Sequence, residues 1–361
     1  MKKGDKYVSN RENEYANLNI AESHIESIMY GFMASSVLFV GDELGIYDLL
    51  AKSEAVSIEE AAALTLVSKS EIERLLIAAC SVGLIEREDA TYFTMHEHMK
   101  PLFCKADSRY CGSRFKHYFT QTAPLFQFLP EALREGGNQW HRLMSKDGER
   151  AAPFDNVYSC PEQTRIFLES MWELGYRCSQ ELVKKFDMNR FNQLVDLGGA
   201  TGSFLVAAVE EFPDMVGCVY DLEVVEPYFN EKRKKHGLED QIKFVGGDLF
   251  VDNFPLADAY SLGYILSDWS KEKGDNLLRK IYKHLPAGGA VIVLEKLFNE
   301  QKDGPLATAM MNLVMLLEME GQHHTSSEYF ERLHGAGFED MVCYRSSGEK
   351  HMIVGFKPHI L

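Results

Sequence analysis

Apolar residues recur at helical spacing through the first part of the chain. From about residue 189 they form short runs that alternate with helical stretches. Residues 1–19 are polar and predict disorder. Between 21 and 52, Ile28, Met29, Phe32, Met33, Val37, Leu38, Leu44, Ile46, Leu49 and Leu50 occupy more than one helical face. Such a stretch asks for burial against a partner as well as in its own domain. Ser57 with Glu60, and Ser68 with Glu71, have capping-box spacing ahead of periodic segments. IEREDATYFTMH then reads as a short hairpin turning near Glu88 and Asp89. Helix, helix, hairpin is a winged-helix order, expected over 20–107. A mixed helical region over 108–188 is broken at Gly136–Gly137 and by the polar stretch 145–155. Over 189–361 the runs LVDL, GCVYD, KFVGG, DAYSLGYIL and VIVLE predict an α/β domain with a parallel sheet. MVCYR and HMIVGFK close it as a hairpin-like pair.

Composition adds exclusions. The chain has 361 residues, enough for two domains, and its 45% hydrophobic content can fill a core. A formal charge of −16 argues against nucleic acid, which requires a basic face. The candidate recognition helix balances Glu71 and Glu73 against Lys69 and Arg74. No uncharged apolar stretch of about 18 residues exists, so no membrane span is expected. The seven cysteines are odd in number, scattered and without CxxC, which suits reduced thiols in a cytosolic protein. The basic start has no apolar run behind it, so no secretory signal is expected.

The chemistry concentrates in LVDLGGATGSF, residues 194–204. An apolar strand carrying Asp196 turns on Gly198 and Gly199 and opens into a helix, with Gly202 allowing that helix to pack closely. This is how a parallel sheet floors a nucleotide-like ligand. GCVYD ends a second strand in Asp221, roughly 20–25 residues on, where a carboxylate can accept from two ribose hydroxyls. KFVGGDLF ends a third at Asp248, beside Leu249 and Phe250, a carboxylate with apolar walls suited to adenine. No lysine stands in the glycine turn, so a triphosphate loop is excluded.

Together these segments resemble those of class I S-adenosylmethionine-dependent methyltransferases. From about residue 20 to about 357 the chain resembles the small-molecule O-methyltransferases of the acetylserotonin and plant caffeate type. That family's VDVGGGTG reads VDLGGATG here, its FDLP reads YDLE, its GGDMF reads GGDLF and its LHDW reads LSDW. The resemblance implies a Rossmann-like methyltransferase sheet with an N-terminal α-helical winged-helix dimerisation domain, a homodimer, and a small-molecule acceptor. It implies S-adenosylmethionine as cofactor, held by Gly198, Gly199, Asp221, Leu222, Asp248, Leu249 and Gly263. A lysine or arginine often stands in the family where this chain has Gly263. FLESMWELG resembles the substrate-lining helix, which implies Met171 and Trp172 at the acceptor, with Met315 opposite.

The catalytic set departs from the family's pattern. The base implied by the resemblance is the histidine of LHDW, steadied by two glutamates. Ser267 replaces that histidine, Glu295 keeps one glutamate, and the other position falls on His323 in GQHHT. Asp268 and Trp269 are retained. A serine hydroxyl is no base near neutrality. Three readings follow. His323 is the base, with Glu295 or Asp268 holding its tautomer, for O- or N-methylation. Alternatively no base is needed, because a thioether has no proton to lose. S-methylation, as of 4-methylthio-2-hydroxybutyrate on the way to dimethylsulfoniopropionate, then suits Ser267, with Tyr264, Tyr118, Phe119 and Trp172 as aromatic faces for the sulfonium. Or Asp268 and His323, with His324 or Glu295, hold a metal, a thin ligand set. The simplest account of Ser267 is the thioether, with no metal. A protein that binds the cofactor without transferring methyl is the alternative outside this class.

Overall fold

The computed structural model describes residues 18–144, 154 and 157–359. The expected disorder of the first residues lies outside these up to residue 17, as does the polar stretch 145–155 apart from Phe154. Two compact units divide between Phe115 and Lys116. The helical region expected from residue 108 begins in the first unit and continues from Lys116 in the second, with the sheet.

The first unit holds helices at 18–29, Gly31–Glu43, Ile46–Lys52, Ile58–Thr65 and Lys69–Ser81. A small antiparallel sheet joins Val56–Ser57, Tyr92–Thr94 and Glu86–Arg87. Ser57 and Glu60 form the full capping box. Ser68 starts the next helix, but its side chain makes no capping bond, so spacing alone did not assure the box there. Asp89 closes the hairpin turn by accepting from the backbone N–H groups of Thr91 and Tyr92. Ile46, Tyr47, Leu50, Ile72, Leu76 and Phe93 form its core. The first helices are different. Ile28, Met29, Phe32 and Met33 are each more than half exposed, an apolar surface that this unit does not cover.

The second unit is a seven-stranded sheet with strands β1 (Gln193–Leu197), β2 (Val216–Asp221), β3 (Ile242–Gly246), β4 (Ala259–Gly263), β5 (Ala290–Glu295), β6 (Glu339–Tyr344) and β7 (His351–Phe356). The spatial order is β6-β7-β5-β4-β1-β2-β3, with β7 antiparallel to both neighbours and the rest parallel. Helices cover both faces, so the inner strands are apolar throughout. Alternate residues serve opposite layers. Leu194 and Ile292 pack with the helices Pro161–Leu182 and Ser203–Glu211, while Val195 and Val293 pack with Lys271–His284 and Ser326–Ala336. The order reverses between β4 and β2 around β1, which opens a crevice at the strands' carboxyl ends. Asp196, Asp221, Gly263 and Glu295 all end at that edge.

Ile292 is wholly buried in the middle of β5. Ile292→Ala is expected to cost about 2–5 kcal/mol through lost burial and a residual cavity. Denaturant unfolding checks this, and a loss below about 1 kcal/mol would mean that β5 is not a central buried strand.

Candidate active site

The crevice holds a cavity of about 350 Å³, within the range of small-molecule sites. Its floor is the glycine turn. Gly198 has φ +63°, a left-handed conformation that costs glycine nothing. A side chain on Gly199 would put its Cβ 2.6 Å from Asp196 Oδ2. The turn therefore stays bare and lets a ligand approach the backbone.

Three carboxylates stand along this floor. Asp196 pairs in register with Ser261 across β1 and β4, and the Ser261 hydroxyl donates to Asp196 Oδ1 at 2.7 Å. Burial pushes the Asp196 carboxyl up to about 6. Asp221 accepts from Ala200 N at 2.8 Å and Leu222 N at 2.7 Å, which fixes its plane. Burial raises it to about 6 as well, against those two bonds. Asp248 accepts from Phe250 N at 2.7 Å. Leu249, Phe250 and Trp269 line the cavity beside it, with the Phe250 and Trp269 rings edge-on at 4.9 Å. Leu222 and Gly263 also line the cavity. A carboxylate for hydroxyls, a carboxylate between apolar walls and a bare glycine floor fit an adenosyl group.

The rest of the lining is aromatic and acidic. Tyr118, Phe154, Tyr158, Phe167, Met171 and Met315 belong to it. Ser267, Asp268, Glu318 and His323 also face the cavity. Glu295 lies just behind: its Oε1 accepts from Ser267 N at 3.1 Å, and its Oε2 is 3.8 Å from His323 Nδ1. Ser267 Oγ, Glu295 Oε2 and both His323 ring nitrogens are buried without a partner within hydrogen-bond distance among the described residues. Each such atom costs about 1–3 kcal/mol if left dry, so four together mark a place prepared for something else. Burial, with Lys296 and His324 nearby, depresses the His323 imidazole to about 3. Burial lifts Glu295 and Glu318 each to about 7. Asp268 is pushed well above the usual carboxylate range by burial and by the charges of Glu295 and Glu318.

Several expected residues sit elsewhere. Trp172 does not line the cavity. Its ring stacks on Tyr176 at 4.5 Å, under the Lys232 ammonium at 4.7 Å. Successive helical residues point about 100° apart, so Trp172 cannot share the face of Met171. Phe167, Met171 and Leu174 are the face that does line it. Phe119 is also absent from the lining, whereas Tyr118 and Tyr264 belong to it. His324 turns away toward Tyr329 and Glu328. Among the described residues no group of three or more His, Cys, Asp or Glu is disposed around a metal.

The chain matches a family description, O-methyltransferase domain, over residues 126–339, and another, O-methyltransferase dimerisation domain, over 26–98. It belongs to the O-methyltransferase family. This O-methyltransferase family member is 33% identical to acetylserotonin O-methyltransferase of Gallus gallus over 336 residues, which is 91% of this chain and 95% of that one. It is 30% identical to the Bos taurus protein of the same name, with the same coverage. The solved human N-acetylserotonin methyltransferase in complex with SAM superposes with a TM-score of 0.86 at 29% identity, covering 94% of this chain and 98% of that one. PigF with SAH gives a TM-score of 0.84 at 26% identity, covering 92% and 98%. The enzyme is an S-adenosylmethionine-dependent methyltransferase with the fold of that class. Among the described residues no helix is long and apolar enough to cross a membrane.

Sequence reading missed three groups at this site. Glu318 falls on the cavity face of the Leu306–Glu318 helix, one turn after Met315 and Val314, so an acid in an apolar stripe was the available signal. Lys296 and Lys350 reach the cavity wall from beyond β5 and before β7. Nothing in local spacing marks either.

Asp221→Ala is expected to weaken S-adenosylmethionine binding by about 1–3 kcal/mol, through loss of acceptors held by two backbone bonds. Calorimetry on the folded variant checks this, and an unchanged affinity would remove Asp221 from the site.

Proposed function

We propose that this methyltransferase S-methylates a small thioether without a general base, an acceptor such as 4-methylthio-2-hydroxybutyrate in dimethylsulfoniopropionate synthesis. The observation that carries this is the weakness as bases of Ser267 and His323, the groups that stand at the family's catalytic positions. Ser267 cannot take a proton near neutrality. With His323 held near 3, deprotonating a phenol of ordinary pKa near 10 would be uphill by about 9–10 kcal/mol. An unperturbed histidine would face only about 5 kcal/mol.

S-adenosylmethionine supplies a methyl already activated on a sulfonium. The acceptor sulfur uses a lone pair to form the new S–C bond. The old S–C bond breaks with its electrons, and no proton is released. Positive charge arrives on the acceptor, where Asp268 and Glu318 face it. Tyr118, Phe154 and Tyr158 line the same cavity, and aromatic rings there attract such a cation. The remaining work is positioning in a water-poor site.

A second reading, methylation of a hydroxyl, draws on the relatives named acetylserotonin O-methyltransferase and on Asp268. Its raised carboxyl is a stronger base than an ordinary carboxylate. Proton release separates the two readings. Incubation with S-adenosylmethionine and 4-methylthio-2-hydroxybutyrate is expected to give a sulfonium one methyl heavier, one S-adenosylhomocysteine and no proton per turnover. No sulfonium, with one proton released per turnover on hydroxyl acceptors, would overturn the thioether reading.

The pH dependence follows from Glu318. Its carboxylate, the form that attracts a cation, is present above about 7 and lost as pH falls below it. Turnover of a thioether is therefore expected to fall between pH 8 and 6. Glu318→Gln should lower kcat/KM and remove this group's contribution to the slope. A profile that keeps its full slope in the variant would exclude Glu318 from charge stabilisation.

The working unit is proposed to be a homodimer formed through the apolar surface of residues 28–33, which falls in the dimerisation match. Each large apolar side chain buried there contributes about 1.5–3 kcal/mol. Ile28→Asp with Phe32→Asp is expected to yield monomers in sedimentation. A variant that stays dimeric would move the interface elsewhere.

A further inference from the structure

Lys350 is a buried cation that the transfer chemistry does not use. It is 3% exposed, it lines the cavity, and no carboxylate among the described residues lies within ion-pair distance. Lys296, by contrast, is paired with Glu349. An unpaired buried ammonium is costly unless a ligand meets it. Burial accordingly pulls its pKa down, against the pull of Asp196 and Glu295.

The surroundings are built to admit it. A Cβ on Gly175, in the Pro161–Leu182 helix, or on Gly263, at the end of β4, would each come within 3.2 Å of Lys350 Nζ. Two bare positions on separate elements thus make its niche. Tyr264 follows with φ +58°, left-handed for a residue with a side chain, and the ammonium lies over its ring at 4.7 Å. The hairpin that carries Lys350 is pinned. Glu181 accepts from Ser347 N at 2.8 Å and Ser347 Oγ at 2.6 Å, and Ser346 Oγ donates to the Lys350 carbonyl at 2.7 Å.

We propose that Lys350 binds the carboxylate of the methionine end of S-adenosylmethionine, from the β6–β7 hairpin, in the niche left by Gly175 and Gly263. Asp221 and Asp248 offer acceptors for the nucleoside. The same cavity holds Asp196, under the glycine turn, and Lys350, an anion and a cation that are not within ion-pair distance of each other. An amino acid carries the complementary pair: its ammonium suits Asp196 and its carboxylate suits Lys350. Lys350 is thus a positioning residue, and its assignment rests on the cofactor and is independent of the acceptor.

Binding without acceptor tests this. Calorimetry would compare S-adenosylmethionine with its decarboxylated analogue, which lacks only the carboxylate, in wild type and Lys350→Met. 5′-Methylthioadenosine, which lacks the amino-acid end, reports whether the nucleoside site is intact. Wild type is expected to prefer S-adenosylmethionine by about tenfold or more. In Lys350→Met that preference should collapse to about twofold or less, with 5′-methylthioadenosine affinity unchanged. Gly263→Ala, which crowds the niche and leaves the lysine in place, should reduce the preference in the same direction. The proposal is overturned if wild type shows no preference, if Lys350→Met keeps it, or if all three ligands weaken equally. Should Lys350→Met fail to fold, Gly263→Ala decides, and an undiminished preference in it overturns the proposal.

Discussion

A parallel sheet delivers the ends of its strands to one edge, and everything at this site hangs on that constraint. Parallel pairing of β1 with β2 and β4 sets Asp196 opposite Ser261 and brings Asp221 to the same rim. The order reverses around β1, so the helices that follow neighbouring strands leave on opposite faces and open the crevice between them. The glycine turn then has a definite job. It keeps the crevice from being filled by the protein's own side chains, with Gly199 held bare by the nearness of Asp196.

The electrostatics follow from placing acids where water is scarce. Asp268, Glu295 and Glu318 are close enough for the last two to raise the first, and Glu295 and Glu318 are buried with Asp268 half-buried beside them. Neighbouring buried carboxyls resist ionising together. Such a cluster gains most from a cation in its midst, while the same burial strips His323 of basicity. The acidity of this wall and the disabled imidazole beside it have a common physical cause.

The sheet was legible because its strands are short apolar runs with polar ends, and parallel strands buried on both faces are written that way. The floor residues were legible because strand ends and glycine turns adjoin them in sequence. The rest of the lining was less so. Met171 and Trp172 are neighbours in sequence and part company on the helix, and only Met171 faces the cavity. The basicity of His323 is set by burial and then by Lys296, neither of which a motif encodes. Lys350 sits at the start of a strand, whereas reading for site residues looks at strand ends.

That last exception has a cause in the topology. Strand β7 runs against β5, with His351 opposite Glu295, so its first residues arrive at the edge where the parallel strands finish. The glycine turn and the lysine in the same cavity are thus separated by some 150 residues of synthesis. At about 5–20 residues per second, a ribosome takes about 8–30 s to make the second after the first. In the last part of that interval β5 has been made but has no β7 beside it, and the crevice has an anionic floor without its cation. The cofactor site is completed late in synthesis, so a nascent chain can bind its ligand fully only once nearly all of the sheet has been made.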